Sequence, residues 1–297
     1  MNQLSIFFPI IALPCPLLVV VGLLYLYRWY RGRKGLRSPL TRQLLRSPGQ
    51  SLRLRIEEIS NTLNETLFVV ALVPSLISGV ILSRGLLSGR GLETFWMVVG
   101  AIVWVCFTAY YVRKIFKLLS ERRDLRLGLD GELATAEELN QLMHYGYFVF
   151  HDFPADHFNI DHVVIGPAGV FAVETKTRSK GIMKGKQGAM VIFENSQLKF
   201  PNYQESESIQ QTKDESKWLA QFLGKSVGKP VAVKPVLALP DWLVERRVKD
   251  ASIMVINPKE AVQYITSNPR LLDEQTVQQV KYQVEQRCRT VEPYKPL

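Results

Sequence analysis

Three long apolar runs without a charged residue constrain the fold of this chain more than any other feature. They cover residues 6–27, 66–83 and 95–112. A helix needs roughly 20 largely apolar residues to cross the hydrocarbon core of a bilayer. Three such runs seldom share one soluble domain, so we expect three membrane-spanning helices near the N-terminus.

The positive charges indicate how these helices would be oriented. The net charge is +10, and residues 1–117 carry all of this excess, with 14 Lys and Arg against 4 Asp and Glu. Basic residues crowd the connection 28–65 and the segment after 113, whereas 84–94 holds only two. The positive-inside rule then places 28–65 and the C-terminal part in the cytoplasm. We expect a multi-pass protein of the cell membrane, with the lipid bilayer as a partner.

The remainder of the chain reads as one soluble α/β domain. Residues 118–297 carry 23 basic and 23 acidic residues, and helix and strand patterns alternate along them. We predict a mixed central sheet flanked by helices, with residues 1–117 as the membrane region and 118–297 as a cytoplasmic domain. The predicted helices are 131–143 (with Asp130 as N-cap), 205–223, 259–265 and 274–287. The predicted strands are 147–152, 160–165, 170–176, 190–193, 231–239 and 253–256.

A tight hairpin brings the first candidate site residues together. The sequence Gly-Pro-Ala-Gly at 166–169 is a strong turn signal between two apolar strands. If Pro167 and Ala168 are the central residues of the turn, Asp161 lies directly opposite Glu174. Opposed residues share a face of the sheet, and strand alternation adds Lys176 to that face.

Two carboxylates opposed in an apolar sheet repel each other, and a divalent cation relieves that repulsion. Mg²⁺ takes oxygen ligands and is commonly held by one or two carboxylates together with phosphate oxygens of a substrate. The alternative is a partly exposed salt-bridge cluster of Asp161, Glu174 and Lys176 without a metal.

These residues resemble a known family. Asp161 followed by Glu174-Thr175-Lys176 is similar to the motif of the PD-(D/E)xK superfamily, which has the restriction-endonuclease-like fold. The longer pattern is similar to the nuclease-related domain, NERD. Its parts are a Gly-Glu pair at 131–132, Ile-Asp-His at 160–162 and a Gly-Val-Phe strand that ends in Glu-x-Lys at 169–176. The similarity covers roughly 125–260.

The resemblance implies a metal-dependent nuclease that hydrolyses phosphodiester bonds of DNA or RNA, with nucleic acid as its partner. Asp161 and Glu174 would hold Mg²⁺, with Mn²⁺ as an alternative. Lys176 would position the nucleophilic water and offset phosphate charge. Glu132 would support the metal or its water, although an acid at a predicted helix N-terminus is also explained by the helix dipole alone.

The family also has a glutamine that opens a later helix, and here the chain departs from the pattern. Gln204, Gln210 and Gln211 all compete for this role. Gln211 shares one helical stripe with the apolar Trp218 and Phe222, whereas Gln210 falls on a solvated stripe. We therefore assign the glutamine role to Gln211, as a helper of the catalytic residues.

Two further groups of residues leave alternatives open. A basic stretch follows the Glu-x-Lys strand, and it reads either as a solvated loop or as a contact for substrate phosphate. Its candidates are Arg178, Lys180, Lys184 and Lys186. The four histidines lie close together and suggest a zinc site, but their spacing matches no ligand pattern, which favours packing and surface roles. They are His144, His151, His157 and His162.

Two other functions remain open at this level. The first is a catalytically inactive nuclease fold that docks protein or nucleic acid at the membrane, and the zero net charge of 118–297 motivates it because it gives little long-range attraction to nucleic acid. The second is a membrane component whose output comes from the spans.

Overall fold

The computed structural model describes residues 15–33, 40–88, 94–180, 186–247 and 252–293. The chain divides into two compact units. The first comprises 1–42, 58–122 and 293–297, and the second comprises 43–57 and 123–292. The segment 43–57, which we placed in the basic membrane loop, therefore belongs to the same unit as the α/β domain.

The helices and strands are as follows. In chain order the helices are α1 (Cys15–Arg33), α2 (Gln50–Ser88), α3 (Thr94–Asn140), α4 (Glu207–Val227), α5 (Ala261–Thr266) and α6 (Glu274–Cys288). The strands are β1 (Leu44–Leu45), β2 (Phe148–Pro154), β3 (Asn159–Gly166), β4 (Gly169–Thr175), β5 (Met190–Glu194), β6 (Gln197–Lys199), β7 (Gln204–Glu205), β8 (Val233–Ala238), β9 (Leu243–Arg246), β10 (Met254–Ile256) and β11 (Arg289–Val291).

Two helical stretches of the described part are long and apolar enough to cross a membrane. They are Gln50–Gly79, within α2, and Val98–Tyr145, which runs from α3 into the short 3₁₀ helix Gln141–Tyr145. The predicted spans 66–83 and 95–112 overlap these two stretches but do not share their bounds. The predicted span 6–27 begins outside the described residues, and its described part belongs to α1. Two apolar helices suggest a membrane region only weakly, and an arrangement of three spans is not confirmed.

The long helix α3 corrects one prediction. A separate helix at 131–143, capped by Asp130, is wrong, because α3 runs without a break from Thr94 to Asn140 and Asp130 lies inside it. No proline interrupts this stretch, so nothing in the backbone forces a new helix start. A short 3₁₀ helix, Gln141–Tyr145, follows and ends at Gly146, whose φ of 81° is typical of a helix end.

The main sheet has five strands in the order β10-β8-β4-β3-β2. β2, β3 and β4 pair antiparallel, whereas β4, β8 and β10 pair parallel. The predicted mixed sheet with flanking helices is thus confirmed, and it fits a nuclease-like domain. The hairpin register runs from His162 opposite Val173 to Gly166 opposite Gly169, with Pro167 and Ala168 in the turn as predicted.

The sheet is buried on both faces because its strands are apolar at nearly every position. On one face Val163, Ile165 and Val170 pack against α4 and α6. On the other face Val164 and Phe171 pack against α5 and the 3₁₀ helix before β2. Because helices cover both faces, a site that solvent or substrate can reach has to lie near the ends of the strands.

A second sheet has four strands in the order β7-β6-β5-β9. It covers a separate core that contains Phe193, Leu198 and Trp242. Only β5 was predicted. β6, β7 and β9 are two to four residues long, which is too short for a period-two pattern to be recognised.

Candidate active site

The predicted hairpin residues meet on one face of the main sheet. Extending the hairpin register by one residue sets Asp161 opposite Glu174. The backbone N–H of Thr175 donates a hydrogen bond to Asp161 Oδ2 at 2.8 Å. Lys176 Nζ lies 2.7 Å from Glu174 Oε1, so an acidic pair and an amine are close together as the sequence predicts.

Helix α4 adds Gln211 to this group. Gln211 Nε2 donates to Glu174 Oε1 at 3.0 Å and to Glu215 Oε1 at 2.7 Å. Gln210 instead donates to Asp214 on an exposed face, and Gln204 lies in β7. Helical geometry therefore selected the glutamine that the fold brings to Glu174.

Glu215 is a site residue that the sequence analysis missed. Its side chain is buried, and burial, followed by the charge of Glu174, raises its pKa to about 8. The signal was present, because Glu215 lies one turn after Gln211 on the stripe that continues to Trp218. Trp218 and Phe222 mark that stripe as apolar in the sequence, and an acid among apolar residues has no spacing that assigns it to the site.

Glu132 reaches the site from α3. Its side chain is buried, and burial followed by the charges of Asp152 and Glu174 raises its pKa to about 7. A backbone hydrogen bond from Gly49 and the charge of Lys176 act in the opposite direction. Glu132 lies inside a helix, so a role at a helix N-terminus does not explain its position.

The neighbouring Gly131 explains why a Gly-Glu pair occurs here. A Cβ at position 131 would lie 1.6 Å from Thr177 Oγ1 and 2.9 Å from Thr177 Cβ. Thr177 follows directly on the Glu174–Lys176 segment. The absence of a side chain at Gly131 therefore lets the end of this segment lie against α3, close to Glu132.

Burial shifts the other titratable groups of the site as well. Burial, followed by the charges of Glu174 and Glu132, raises the pKa of Asp161 well above its usual range, despite the hydrogen bond from Thr175. For Lys176, burial favours a lower pKa, but the ion pair with Glu174 outweighs it and the pKa is raised. Lys176 is therefore a cation at neutral pH.

A second missed group lies next to Glu132. Asp152 of β2 is 1% exposed and has a φ of 49°. Its carboxylate accepts hydrogen bonds from Arg46 Nε at 2.7 Å and from Ser51 Oγ at 2.6 Å. Arg46 and Ser51 are more than 100 residues away in the chain, and no local pattern pairs them with Asp152.

Two of the four histidines, His151 and His162, form a separate pair. His162 lies on the opposite face of β3 from Asp161, as strand alternation predicts, and its Nδ1 is 2.9 Å from His151 Nδ1. His162 Nε2 is 3.3 Å from Thr175 Oγ1. Burial lowers the pKa of His151 to about 4 and that of His162 well below its usual range, so both rings are neutral at pH 7.

The basic candidates are only partly described. Arg178 pairs with Glu205 at 2.9 Å, and Lys180 Nζ donates to the carbonyl oxygen of Asp241 at 2.7 Å. Lys184 lies outside the described residues, and the side chain of Lys186 is not described. Arg178 and Lys180 thus contact other residues of the protein, next to the second sheet.

The donor set fits a hard cation in its chemistry. Within the described ranges, no three His, Cys, Asp or Glu residues converge closely enough to form a ready metal cage. However, Glu132 Oε2, Glu174 Oε2 and Glu215 Oε2 are all buried without a hydrogen-bond partner. Unsatisfied carboxylate oxygens are costly in a protein interior, and oxygen is the ligand atom that Mg²⁺ prefers.

The mixed sheet with its flanking helices fits a nuclease-like domain. Residues 127–240 match the family model described as the nuclease-related domain, NERD. This match includes Glu132, Asp161, Glu174, Lys176 and Gln211, and it confirms the resemblance seen in the sequence. Searches among curated proteins and among solved structures found no match. A nuclease-related domain indicates a nuclease-related function, with nucleic acid as the class of partner.

Proposed function

We propose that this protein is a membrane-anchored, metal-dependent nuclease that hydrolyses phosphodiester bonds of DNA or RNA on the cytoplasmic side. The observation that carries the proposal is the set of three buried, unsatisfied carboxylate oxygens, from Glu132, Glu174 and Glu215, around a single ammonium. A structural salt bridge of Glu174 with Lys176 would require no further acids.

Asp161 and Glu174 would hold Mg²⁺ or Mn²⁺, and Glu132 would support the ion or its water. Bound there, the ion would supply an activated water and stabilise the charge that develops on the phosphate. Lys176 keeps a positive charge beside Glu174, which suits it to orient a water and to attract a phosphate oxygen. Gln211 donates to both Glu174 and Glu215, and so fixes the orientation of their carboxylates.

The charge balance of the site supports a divalent ion. Four carboxyl groups, those of Glu132, Asp161, Glu174 and Glu215, face one lysine. In the absence of a cation, burial raises the pKa of three of them, which is how a protein interior limits uncompensated charge. A divalent cation would favour the ionised forms instead.

Apolar surface supports the membrane anchor. In the helix Val98–Tyr145, none of the most apolar window is buried, and only 12% of that window is buried in Gln50–Gly79. Large side chains such as Ile102 and Trp104 are more than half exposed. Apolar surface of this extent is unfavourable in water and favourable in a bilayer.

The test is cleavage of labelled DNA and RNA by the full chain in detergent, with and without Mg²⁺. We expect Mg²⁺-dependent cleavage, and we expect Glu174→Gln to lower its rate by about 100-fold, because it removes a carboxylate from the ion. Glu194→Gln is the matched control: Glu194 also pairs with a lysine, Lys199, at 2.8 Å, but in the second sheet. Its rate should stay within about twofold of the wild type.

Equal activity in wild type and Glu174→Gln would contradict the proposal. A second candidate is a docking module without catalysis, which the balanced charge of residues 118–297 favours. Nucleic-acid binding by the wild type that is independent of metal and unaccompanied by cleavage would select this second function.

A further inference from the structure

We propose that Arg46 is a positioning residue of the candidate site, acting through Asp152 to hold the segment that covers Glu132. This inference rests on the proposed function. It assigns a role in the site to a segment that precedes the matched domain by some eighty residues. The contacts on which it rests lie within one compact unit, which contains residues 43–57 and the α/β domain.

The first step is the burial of Asp152. Its side chain is 2% exposed, and that of Arg46 is 14% exposed. Ser51 donates to the same carboxylate twice, from its backbone N–H at 3.1 Å and from Oγ at 2.6 Å. A buried carboxylate needs such compensation, and Arg46 supplies the only charge among these donors.

The second step is the position of Asp152 in the sheet. β2 pairs His151 with His162 and then Phe153 with Ile160, so Asp152 is left out of the ladder beside Asp161. Its φ of 49° is unusual for a residue other than glycine. The contacts with Arg46 and Ser51 hold it in this conformation.

The third step links the segment to Glu132. Gly49, between Arg46 and Ser51, has a φ of 65°, and a Cβ there would lie 2.2 Å from Leu129 Cδ1 and 3.6 Å from Glu132 Oε2. Gly49 thus lies directly against α3, where Glu132 points into the site. Asp152 and Gly49 are the two neighbours through which Arg46 reaches Glu132.

The fourth step is the attachment of the segment at its other end. The backbone N–H of Arg46 donates to the carbonyl oxygen of Cys288 at 3.0 Å, and Leu44 pairs with Val291 between β1 and β11. Arg46 is therefore tied to α6 by its backbone and to β2 by its side chain. A fragment that begins at residue 118 lacks the segment 43–57 and all of these contacts.

The test is Mn²⁺ binding by the full chain in detergent, measured from the electron paramagnetic resonance signal of free Mn²⁺. We expect Arg46→Gln to weaken Mn²⁺ affinity by about 10-fold or more, as is usual when a group that orients metal ligands is lost. Arg46→Lys, which keeps the charge, should fall between Arg46→Gln and the wild type. Arg53→Gln removes an exposed charge from the same segment and should change the affinity by less than about twofold.

A second comparison separates positioning from general loss of stability. If Arg46 acts through Glu132, Arg46→Gln added to Glu132→Gln should weaken Mn²⁺ binding by less than about twofold beyond Glu132→Gln alone. A further 10-fold loss in that background would overturn the inference. Ser51→Ala is the milder variant for use if Arg46→Gln does not fold, and unchanged affinity in both Ser51→Ala and Arg46→Lys would also overturn it.

The outcomes distinguish this inference from the proposed function. Loss of Mn²⁺ binding in Glu174→Gln together with wild-type affinity in Arg46→Gln would overturn the positioning role alone. Absence of Mn²⁺ binding in the wild type, or full binding in Glu174→Gln, would overturn both.

Discussion

Individual side chains of this domain hold unusual protonation states for one shared reason, which is burial. Glu132 and Glu215 have pKa values raised to about 7 and about 8, so each takes up a proton more readily than an exposed glutamate. His151 shows the opposite shift, to about 4, because a buried imidazole resists protonation. Acids and histidines therefore respond to pH in opposite ways.

We expect His151 to make the protein less stable as the pH falls from about 6.5 to about 4. The folded state resists protonation of His151 and the unfolded chain does not. Above the usual histidine pKa the ring is neutral in both states, so the stability of the fold is undiminished there. The loss amounts to about 3 kcal/mol by the bottom of that window. Two titratable groups face this ring: His162, its partner on the neighbouring strand β3, and the carboxylate of Asp152.

The measurement is the Tm of the full chain in detergent between pH 7.5 and pH 4. The wild type should lose more Tm on acidification than His151→Gln. Comparing the two removes the contribution of the buried acids, whose raised pKa values act in the opposite direction. His157→Gln, in an exposed turn, should follow the wild type, and identical curves for all three proteins would refute the prediction.

At the scale of elements, the site depends on how closely α3 approaches the end of β4. Gly131 permits this approach, since Thr177 occupies the space that a Cβ would fill. The same helix contains a second glycine, Gly128, whose added Cβ would meet only Leu52 Cδ1, at an ordinary contact distance of 3.4 Å. The two glycines look alike in the sequence but differ in their surroundings.

We expect Gly131→Ala to destabilise the protein by about 1–3 kcal/mol, because it overpacks the contact with Thr177. Gly128→Ala should be neutral or stabilising, since alanine is favoured over glycine inside a helix by about 1 kcal/mol. Thermal unfolding of the full chain, followed by tryptophan fluorescence, compares them. Adding Thr177→Gly should restore most of the stability lost in Gly131→Ala; equal Tm values for the two alanine variants would rule out the steric explanation.

At the scale of the whole molecule, an apolar region and a charge-balanced domain share one chain. The helices Gln50–Gly79 and Val98–Tyr145 each contain an apolar window that is almost entirely exposed. The proposed orientation puts the connection between them outside the cell and the nuclease-like domain inside. The reason is that the basic segments 28–65 and the one after 113, which flank the spans, should lie in the cytoplasm.

Thiol labelling of intact cells tests this orientation. In a chain whose three cysteines are replaced by serine, we expect Ser88→Cys to react with a membrane-impermeant reagent from outside. Lys225→Cys, at an exposed position of α4, should react only after the membrane is permeabilised. The reverse pattern would contradict the orientation, and equal labelling of both positions from one side would contradict a span between them.

The hairpin and the placement of its polar side chains followed from the sequence alone. The turn at 166–169 and the two-residue period of its strands set the register, and the register put Asp161, Glu174 and Lys176 on one face. The helical period selected Gln211 in the same way. These predictions succeeded because each depends on interactions between residues close in the chain, where backbone geometry leaves few alternatives.

Only the tertiary structure decided what surrounds those residues. The pairing of Arg46 with Asp152, the approach of Gly49 to Glu132 and the joining of β1 to β11 all connect distant parts of the chain. The continuity of α3 and the burial of Glu215 likewise depend on neighbours from other elements. Burial and long-range pairing arise from the packing of the whole domain, so no local pattern of residue types specifies them.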